Sequence, residues 1–237
     1  FYGQTESTAM IGNAPWMKGK IRTGSFGAPS FLYDVTLVDD DAKEVTEPDE
    51  PGYNVVRLDR WRTIGLFTEY IRNAQKMAGV FIDNYYYTGD RGSIDKDGYW
   101  WFVGRSDDVI KSSDYRVGPF EVESALMEHD AVAEAAVVGV PDEKRHQLVK
   151  AFVILKAGKE PSRELALDMF KHTIDILAKF KIPRIIEFVS EVPKTLSGKI
   201  RRVELREREV ERQESDGNAP DLEFYYWDFP ELSSRKN

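Results

Sequence analysis

The stretch AVAEAAVVGV, residues 131–140, is apolar at almost every position and constrains the fold more than any other feature. A short continuous apolar run of this kind predicts a buried strand. We expect it to close at Pro141, because proline lacks the amide that a sheet requires. Two further strands are predicted, LVKAFVILK at 148–156 and RIIEFVSEV at 184–192.

Helical patterns lie around these strands. GPFEVESALMEHD, residues 118–130, has helical apolar spacing with acids near its start. SRELALDMFKHTIDILAKF, residues 162–180, is amphipathic, with Ser162 as the expected N-cap. RRVELREREVER, residues 201–212, predicts a charged helix. Alternating strands and helices over residues 105–212 predict a small α/β unit.

Residues 1–104 have mostly strand character. YDVTLVDDD at 33–41 and GYNVVRL at 52–58 predict strands, and GSIDKDGYWWFVG at 92–104 predicts a hairpin turning at Asp97-Gly98. The same DxDG letters resemble the start of a calcium loop. The other ligands of such a loop are missing from the sequence, which favours the plain hairpin.

Composition narrows the classes of function. A formal net charge of −8 argues against a general nucleic-acid-binding role. The chain has no cysteine, so no disulfide holds it together. It shows neither a signal peptide nor an apolar run of the roughly 20 residues that a membrane span needs. We therefore expect a cytoplasmic protein, or a mitochondrial-matrix protein if the source is eukaryotic. The missing initiator methionine suggests part of a longer polypeptide.

Residues 213–237 form a predicted acidic, aromatic tail. Its polar beginning predicts disorder, whereas LEFYYWDF carries five aromatic residues among acids. Two interpretations stay open. The tail either covers a groove on its own domain or binds a partner.

Four short stretches carry chemistry-bearing residues in a fixed order: YGQTES (2–7), YYTGDRG (86–92), GRSDDVIKSSDYRVGP (104–119) and PKTLSGKIRR (193–202). Each alone is an ordinary turn or loop. Together they resemble the adenylate-forming superfamily, and most closely its medium-chain acyl-CoA synthetases, from Phe1 to about Arg212. The resemblance implies an α/β fold in which residues 1–104 end a large, β-rich N-terminal domain. Residues 105–212 would be a small, mobile C-terminal lid.

The resemblance implies that a carboxylic acid is activated with ATP and then transferred to coenzyme A. Catalysis would fall to Lys199, which would enter the active site during adenylation and neutralise developing charge. Asp107 would be the hinge of the lid, and Glu6 would hold Mg²⁺. The implied contacts to ATP or AMP are Tyr2, which would stack on adenine, Thr5, Asp90, which would bind the ribose hydroxyls, Arg105 and Lys199.

The loop KSSDYR is implied to line the coenzyme A tunnel after the lid rotates. The implied contacts to coenzyme A are Ser113, Asp114, Tyr115, Arg116, Arg145 and Arg184. The family has glycine where this chain has Asp114, so a negative charge stands beside a polyanionic cofactor. His146 likewise replaces a small residue.

No Ser/Thr/Gly-rich phosphate loop occurs in the sequence, so an upstream part of the same enzyme is an expected partner. Three hypotheses therefore stay open. They are an acyl-CoA synthetase portion, an adenylating relative that is impaired in the coenzyme A step, and a non-catalytic remnant that serves binding. Oligomeric state and acyl-chain length cannot be read from these residues.

Overall fold

The computed structural model describes residues 1–13, 21–61, 63–215 and 220–235. The chain divides into two compact units, Phe1–Asp107 and Asp108–Asn237. Both units combine sheets with helices, so the predicted mixed α/β class is confirmed. The domain boundary expected after residue 104 lies inside the strand Trp100–Arg105.

The first unit contains a three-stranded and a five-stranded sheet. The strands of the small sheet are β1 (Tyr2–Gly3), β2 (Ala9–Gly12) and β3 (Ala28–Pro29). The strands of the larger sheet are β4 (Val35–Val38), β5 (Gly52–Arg57), β6 (Phe81–Ile82), β7 (Tyr85–Ile94) and β8 (Trp100–Arg105). Buried side chains from both sheets form one core, which includes Met10, Ile11, Leu37, Val56 and Tyr86.

The predicted hairpin at 92–104 is confirmed by the antiparallel pairing of β7 with β8. One Asp95 carboxylate oxygen accepts the backbone amides of Asp97 and Tyr99, at 2.9 and 3.0 Å. Gly98 has φ +83°, a conformation that glycine adopts without a steric cost. Asp95 and Gly98 therefore both stabilise the turn.

A helix that the sequence did not predict, α1 (Ala74–Val80), precedes β6. The Asn73 side chain caps it by accepting the Lys76 amide at 3.0 Å. None of its residues is buried. Seven residues are too few to show the apolar periodicity from which amphipathic helices are predicted, although Val80 packs against the core.

The second unit has one six-stranded sheet. Its strands are β9 (Ile110–Ser112), β10 (Tyr115–Val117), β11 (Val132–Asp142), β12 (His146–Leu155), β13 (Ile185–Phe188) and β14 (Glu223–Tyr225). Its helices are α2 (Pro119–Met127), α3 (Arg163–Ile176) and α4 (Arg202–Glu214), followed by the 3₁₀ turns Tyr226–Asp228 and Pro230–Arg235. Strand β12 is central, antiparallel to β11 and parallel to β13.

The apolar run at 131–140 is buried on both faces, as its composition predicts. Ala135 and Val137 belong to the core with α2 and α3, whereas Ala136 and Val138 belong to the core that contains Leu205 of α4. The sheet therefore lies between helices on its two sides, and each strand residue contacts one helical layer.

The predicted end of this strand at Pro141 is wrong, because β11 continues to Asp142. Pro141 pairs with Gln147 of β12. Strand β12 is the one strand with which β11 pairs in the described part of the chain, so β11 is an edge strand. The missing proline amide therefore costs the sheet nothing on its open side.

The helix predicted at 162–180 begins as expected but ends early. The Ser162 hydroxyl accepts the Leu165 amide at 3.1 Å, which confirms the N-cap. The helix ends at Ile176, because Leu177 adopts extended angles (φ −100°, ψ 151°). Leu177 and Phe180 then pack against the core from an irregular segment.

Residues 220–235 of the predicted tail are built into the second unit. Strand β14 pairs antiparallel with β13, and Phe229 and Leu232 are each 1% exposed. These contacts support the interpretation that the tail covers its own domain. The disorder predicted for the polar beginning of the tail is wrong at residues 213–214, because α4 continues to Glu214, and at 216–219 it lies outside the described residues. None of the helices in the described segments has the length and apolar character of a transmembrane helix.

A fully buried lysine lies between the sheet and α4. The Lys150 ammonium is 2.7 Å from Glu187 Oε2, 2.8 Å from Glu209 Oε2 and 3.0 Å from Glu223 Oε2. The three carboxylates come from β13, α4 and β14, respectively. One ammonium therefore joins three separate elements to β12.

Two arginines of α4 complete this charge cluster. Arg208 pairs with Glu187 at 3.0 Å, and Arg212 pairs with Glu209 and Glu223. Three cations thus face three carboxylates. Burial alone would raise the pKa of Glu223, but hydrogen bonds from Arg212 and Tyr225 and the Lys150 charge bring this pKa below its ordinary value.

We expect Lys150→Met to lower the free energy of unfolding by about 3–5 kcal/mol, because it leaves buried carboxylates without their partner. Urea denaturation of the chain, followed by circular dichroism, measures this change. The control is Lys159→Met at an exposed lysine, for which we expect a change within about 0.5 kcal/mol. Equal effects of the two variants would contradict the structural role of the cluster.

The lowered pKa of Glu223 predicts a pH dependence. A carboxyl whose folded-state pKa lies below its unfolded value of about 4.3 stabilises the fold above that pH, and this stabilisation is lost as the pH falls through the folded pKa. We therefore expect the stability gap between the wild-type chain and Glu223→Gln to be largest near pH 7 and to shrink below pH of about 4. Denaturation at several pH values measures it, and a gap that widens on acidification would refute the assignment.

Candidate functional site

The first unit holds a polar cluster on Asp90. This residue follows Gly89 on β7, is 5% exposed, and its backbone amide donates to Thr88 Oγ1 at 3.1 Å. Its Oδ2 accepts the Tyr2 hydroxyl at 2.6 Å and Gln4 Nε2 at 2.8 Å. The motifs YGQTES and YYTGDRG therefore meet at one carboxylate, through contacts between residues 88 and 86 positions apart.

Arg105 lies directly across from Asp90 in the β7–β8 pair. Its Nη1 is 3.3 Å from Asp90 Oδ1, and its Nε is 3.5 Å from Asp107 Oδ1. Its side chain is 49% exposed, so the guanidinium stands at the surface of the cluster. A Cβ on Gly89 would come within 3.0 Å of Arg105 Nη2, and Gly89 has φ +78°. Both facts favour glycine at this position.

Tyr2 donates to Asp90, and its ring stacks on Phe26 with centroids 4.7 Å apart. Burial and the neighbouring Asp90 charge raise the pKa of Tyr2, so the hydroxyl keeps its proton and remains a donor. The residue is 7% exposed, and Phe26 covers one face of the ring. The stacking of adenine on Tyr2 stays a prediction.

Glu6 and Thr5 continue the cluster towards solvent. Glu6 Oε1 accepts the Tyr70 hydroxyl at 2.8 Å, and burial together with this carboxylate raises the pKa of Tyr70 to about 12. Thr5 is exposed. The sequence did not identify Gln4, whose side chain connects Tyr86 to Asp90. Its Oε1 accepts the Tyr86 hydroxyl at 3.0 Å while its amide donates to Asp90.

Lys199 lies on an exposed hairpin of the second unit. Thr195 and Lys199 exchange two hydrogen bonds, from the Thr195 amide to the Lys199 carbonyl at 2.8 Å and from the Lys199 amide to Thr195 Oγ1 at 3.1 Å. Gly198 has φ +81° and open space around its Cα, which allows the tight turn. The structure thus presents the lysine in solvent on a short hydrogen-bonded turn.

The unit boundary falls between Asp107 and Asp108. Asp107 has a side chain that is 62% exposed. Asp108 is held to α4, with its Oδ1 2.6 Å from Arg206 Nη1. The predicted hinge residue therefore directly precedes a residue that is fixed to the second unit.

The loop predicted to contact coenzyme A is the hairpin between β9 and β10. Its turn contains Ser113, which has φ +55°, and the exposed Asp114. The Tyr115 ring stacks on Phe180, with centroids 4.3 Å apart and planes 13° from parallel. Arg116 pairs with Lys111 across the hairpin.

A groove of about 830 Å³ lies beside this hairpin. Arg145 and Arg184 line it, and so do Lys144 and Lys179, which the sequence reasoning did not identify. The Ser113 amide donates to the Arg145 carbonyl at 2.8 Å, which joins the groove to the hairpin. Burial and the charge of Arg145 lower the pKa of Arg184.

The groove also contains two aromatic residues from the tail, Tyr226 and Trp227. Their aromatic character was visible in the sequence, but nothing in the sequence placed them beside Arg145 and Arg184. The predicted residues therefore form three groups, which are the Asp90 cluster, the Lys199 hairpin, and the hairpin with its cationic groove.

Comparisons with known proteins identify a family model and several relatives. Residues 121–199 match the family model of the AMP-binding enzyme C-terminal domain. The chain is 59% identical over 213 residues to 4-hydroxybutyrate–CoA ligase 1 of Metallosphaera sedula, covering 90% of this chain and 37% of that protein. It is 48% identical over 210 residues to the human acyl-coenzyme A synthetase ACSM3, mitochondrial, covering 88% and 35%.

Solved structures show the same likeness. An anthranilate CoA ligase, AuaEII, in complex with anthranoyl-AMP superposes with a TM-score of 0.76 at 41% identity, over 87% of this chain and 39% of that chain. A benzoate CoA ligase from Burkholderia xenovorans gives 0.68 at 36% identity, over 78% and 36%. The chain thus spans somewhat over a third of the length of these relatives. Residues 121–199 are therefore an AMP-binding enzyme C-terminal domain, and the homologues of the chain are acyl-CoA ligases of the adenylate-forming superfamily.

Proposed function

We propose that this chain is the C-terminal portion of an AMP-forming acyl-CoA synthetase. In the first half-reaction a carboxylate oxygen attacks the α-phosphorus of ATP, giving acyl-adenylate and pyrophosphate. In the second half-reaction the thiol of coenzyme A attacks the acyl carbon, giving the thioester and AMP. Both steps bring anions together, so positioning and electrostatic stabilisation dominate the catalytic task.

The observation that carries the proposal is the donor-surrounded carboxylate of Asp90. A buried aspartate held by Tyr2, Gln4 and Arg105 has two fixed oxygens, the pattern that suits a pair of ribose hydroxyls. Arg105 supplies a half-exposed cation beside it for ribose or phosphate oxygens. Thr5 hydrogen-bonds the α-phosphate region in this proposal.

Glu6 is the proposed protein ligand of Mg²⁺. Magnesium bound with nucleotide phosphates typically takes one or two carboxylates, and Glu6 presents a half-buried one two residues after Gln4, which binds Asp90. The ion would neutralise phosphate charge when it is bound. The chain's own contribution is to hold this carboxylate, with the Tyr70 hydroxyl fixing its orientation.

Lys199 serves adenylation in this proposal. Its compact charge on a long side chain can neutralise the negative charge that develops between the carboxylate and the α-phosphate. The exposed hairpin leaves the ammonium without an ion pair among the described salt bridges. Rotation at Asp107 would then exchange Lys199 for the hairpin of Ser113, Tyr115 and Arg116.

Coenzyme A is the proposed ligand of that hairpin and of the neighbouring groove. Arg145 and Arg184 are the proposed phosphate contacts, because guanidinium groups bind phosphate oxygens in pairs. The relatives named as CoA ligases support this assignment. The proposed location is the cytoplasm, or the mitochondrial matrix in a eukaryote. The human relative ACSM3 is a mitochondrial protein.

A second candidate is an adenylating enzyme that is impaired in thioester formation. Asp114 favours it, because this exposed acid stands at the turn of the proposed coenzyme A hairpin. Two like charges 4 Å apart repel by about 1 kcal/mol in water and by about 4 kcal/mol near a protein surface. The size of this repulsion therefore decides between a slowed and a blocked thioester step.

Lys199→Ala should slow acid-dependent ATP–pyrophosphate exchange by about 10²–10³-fold in the complete enzyme, because a group that stabilises transition-state charge is lost. Thioester formation from preformed acyl-adenylate should change far less. Lys194→Ala is the control, since Lys194 lies on the same hairpin but pairs with Glu134 at 2.7 Å. Equal losses in both half-reactions would contradict the role of Lys199, and no exchange with any acid in the wild-type enzyme would contradict the proposed function.

Asp114→Gly should lower the KM for coenzyme A by about fivefold, the equivalent of about 1 kcal/mol of relieved repulsion at an exposed site. Asp114→Asn separates charge from bulk, because it removes the charge and keeps the size. Steady-state kinetics with varied coenzyme A gives both values. If the wild-type enzyme makes no thioester and glycine restores it, the second candidate function is correct.

A further inference from the structure

The C-terminal tail contributes to the cationic groove in a way that phosphate binding alone does not explain. The groove lining combines Lys144, Arg145, Lys179 and Arg184 with the rings of Tyr226 and Trp227. Cations suit phosphate groups, whereas aromatic rings suit a nucleobase. We propose that Trp227, supported by Tyr226, stacks on the adenine of coenzyme A while Arg145 and Arg184 hold its phosphates, an inference that rests on the proposed function.

The cationic half of the groove is not neutralised from within. Asp142 and Glu143 are the acids among its lining residues, against four cations. Asp142 Oδ1 is already used to accept the backbone amides of Lys144 and Arg145, at 3.1 and 2.8 Å. The chain carries a net charge of −8, so a groove with excess positive charge is a local feature that favours an anionic ligand.

The two arginines stand close enough to disfavour each other's charge. Arg184 is partly buried, and burial together with Arg145 lowers its pKa. Its guanidinium lies 4.5 Å above the centre of the Tyr226 ring. Two neighbouring guanidinium groups gain most from a ligand with several negative charges, such as the two phosphate positions of adenosine 3′,5′-bisphosphate.

Trp227 is held in place by the residues on either side of it. Upstream, Glu223 is bound to Lys150 and Arg212 in the buried charge cluster. Downstream, Phe229 is 1% exposed and packs 5.5 Å from Phe170. An anchored backbone therefore presents this ring with little loss of conformational entropy on binding.

The Trp227 ring is nevertheless open to solvent. The residue is 59% exposed, and its described ring contact is with Tyr225, at 5.1 Å between centroids. An indole fixed by its neighbours, exposed, and placed beside phosphate-binding cations has the geometry of a stacking platform. Phe229 and Leu232 supply the packing energy of the tail, so Trp227 is free for a ligand.

The hairpin of Tyr115 adjoins the same groove. Tyr115 stacks on Phe180, which follows Lys179 in the chain, and Ser113 donates to the Arg145 carbonyl. One surface of the second unit therefore joins a nucleotide groove to the loop proposed for the pantetheine arm. The nucleotide end of coenzyme A fits the groove, and its arm fits the hairpin.

The test is calorimetric titration of the chain with adenosine 3′,5′-bisphosphate, the nucleotide half of coenzyme A. We expect Trp227→Ala to bind about 5- to 150-fold more weakly than the wild-type chain, the range that follows from loss of one base–aromatic stack. Trp227→Phe keeps a ring and should bind within about threefold of the wild-type chain. Trp61→Ala, at an exposed tryptophan of the first unit, is the matched control and should leave binding unchanged.

A second titration, with 4′-phosphopantetheine, isolates the adenine. This ligand has a phosphate but no base, so Trp227→Ala should bind it as the wild-type chain does. Circular dichroism of each variant verifies the fold. Four outcomes would each overturn the inference. The alanine variant could bind the bisphosphate as well as the wild-type chain does, or phenylalanine could fail to restore binding. The alanine variant could lose equal affinity for both ligands, or the wild-type chain could fail to bind the bisphosphate. ATP–pyrophosphate exchange, which needs no coenzyme A, tests the proposed function separately.

Discussion

The buried ammonium of Lys150 is the interaction on which the second unit depends. It binds one carboxylate each from β13, α4 and β14, within 2.7–3.0 Å. A charge that is removed from water is tolerated only when its partners are in place, so these elements must assemble together or not at all. The same contacts set the position of the tail through Glu223. They also set the position of α4, which begins three residues after Lys199.

A second buried ion pair fixes the other end of α4. Arg202 binds both oxygens of Glu123 at 2.8 Å, which ties α4 to α2 around the sheet. Burial raises the pKa of Glu123 even against the attraction of Arg202. Arg206, one turn further, holds Asp108. The Lys199 hairpin and the beginning of the unit are therefore both attached to one rigid helix, which suits a unit that moves as a body.

The candidate site residues of the first unit and those of the second unit have opposite electrostatic character. Asp90 is a buried acceptor that is surrounded by donors, whereas the groove of Arg145 and Arg184 is lined by four cations and two acids. The first arrangement suits hydroxyl groups and the second suits phosphates. Asp114 and His146, the residues that depart from the family pattern, lie on the hairpin of the second unit and directly after Arg145 of the groove, respectively. His146 adopts φ +64°, the left-handed region that favours glycine, beside the Ser113 turn at φ +55°.

Sequence alone determined the class of the fold, the positions of β11 to β13 and of α2, α3 and α4, and the four motifs, because apolar periodicity and turn residues are local properties. It missed α1, which buries no residue, and it ended β11 at Pro141 because edge and central strands have the same local pattern. Tertiary structure alone decided that Gln4 joins Asp90, that Lys150 meets three glutamates, and that Trp227 stands beside Arg145 and Arg184. Such pairings join residues up to 86 positions apart. They depend on packing and on the cost of burying an unpaired charge, and a local sequence pattern contains information about neither.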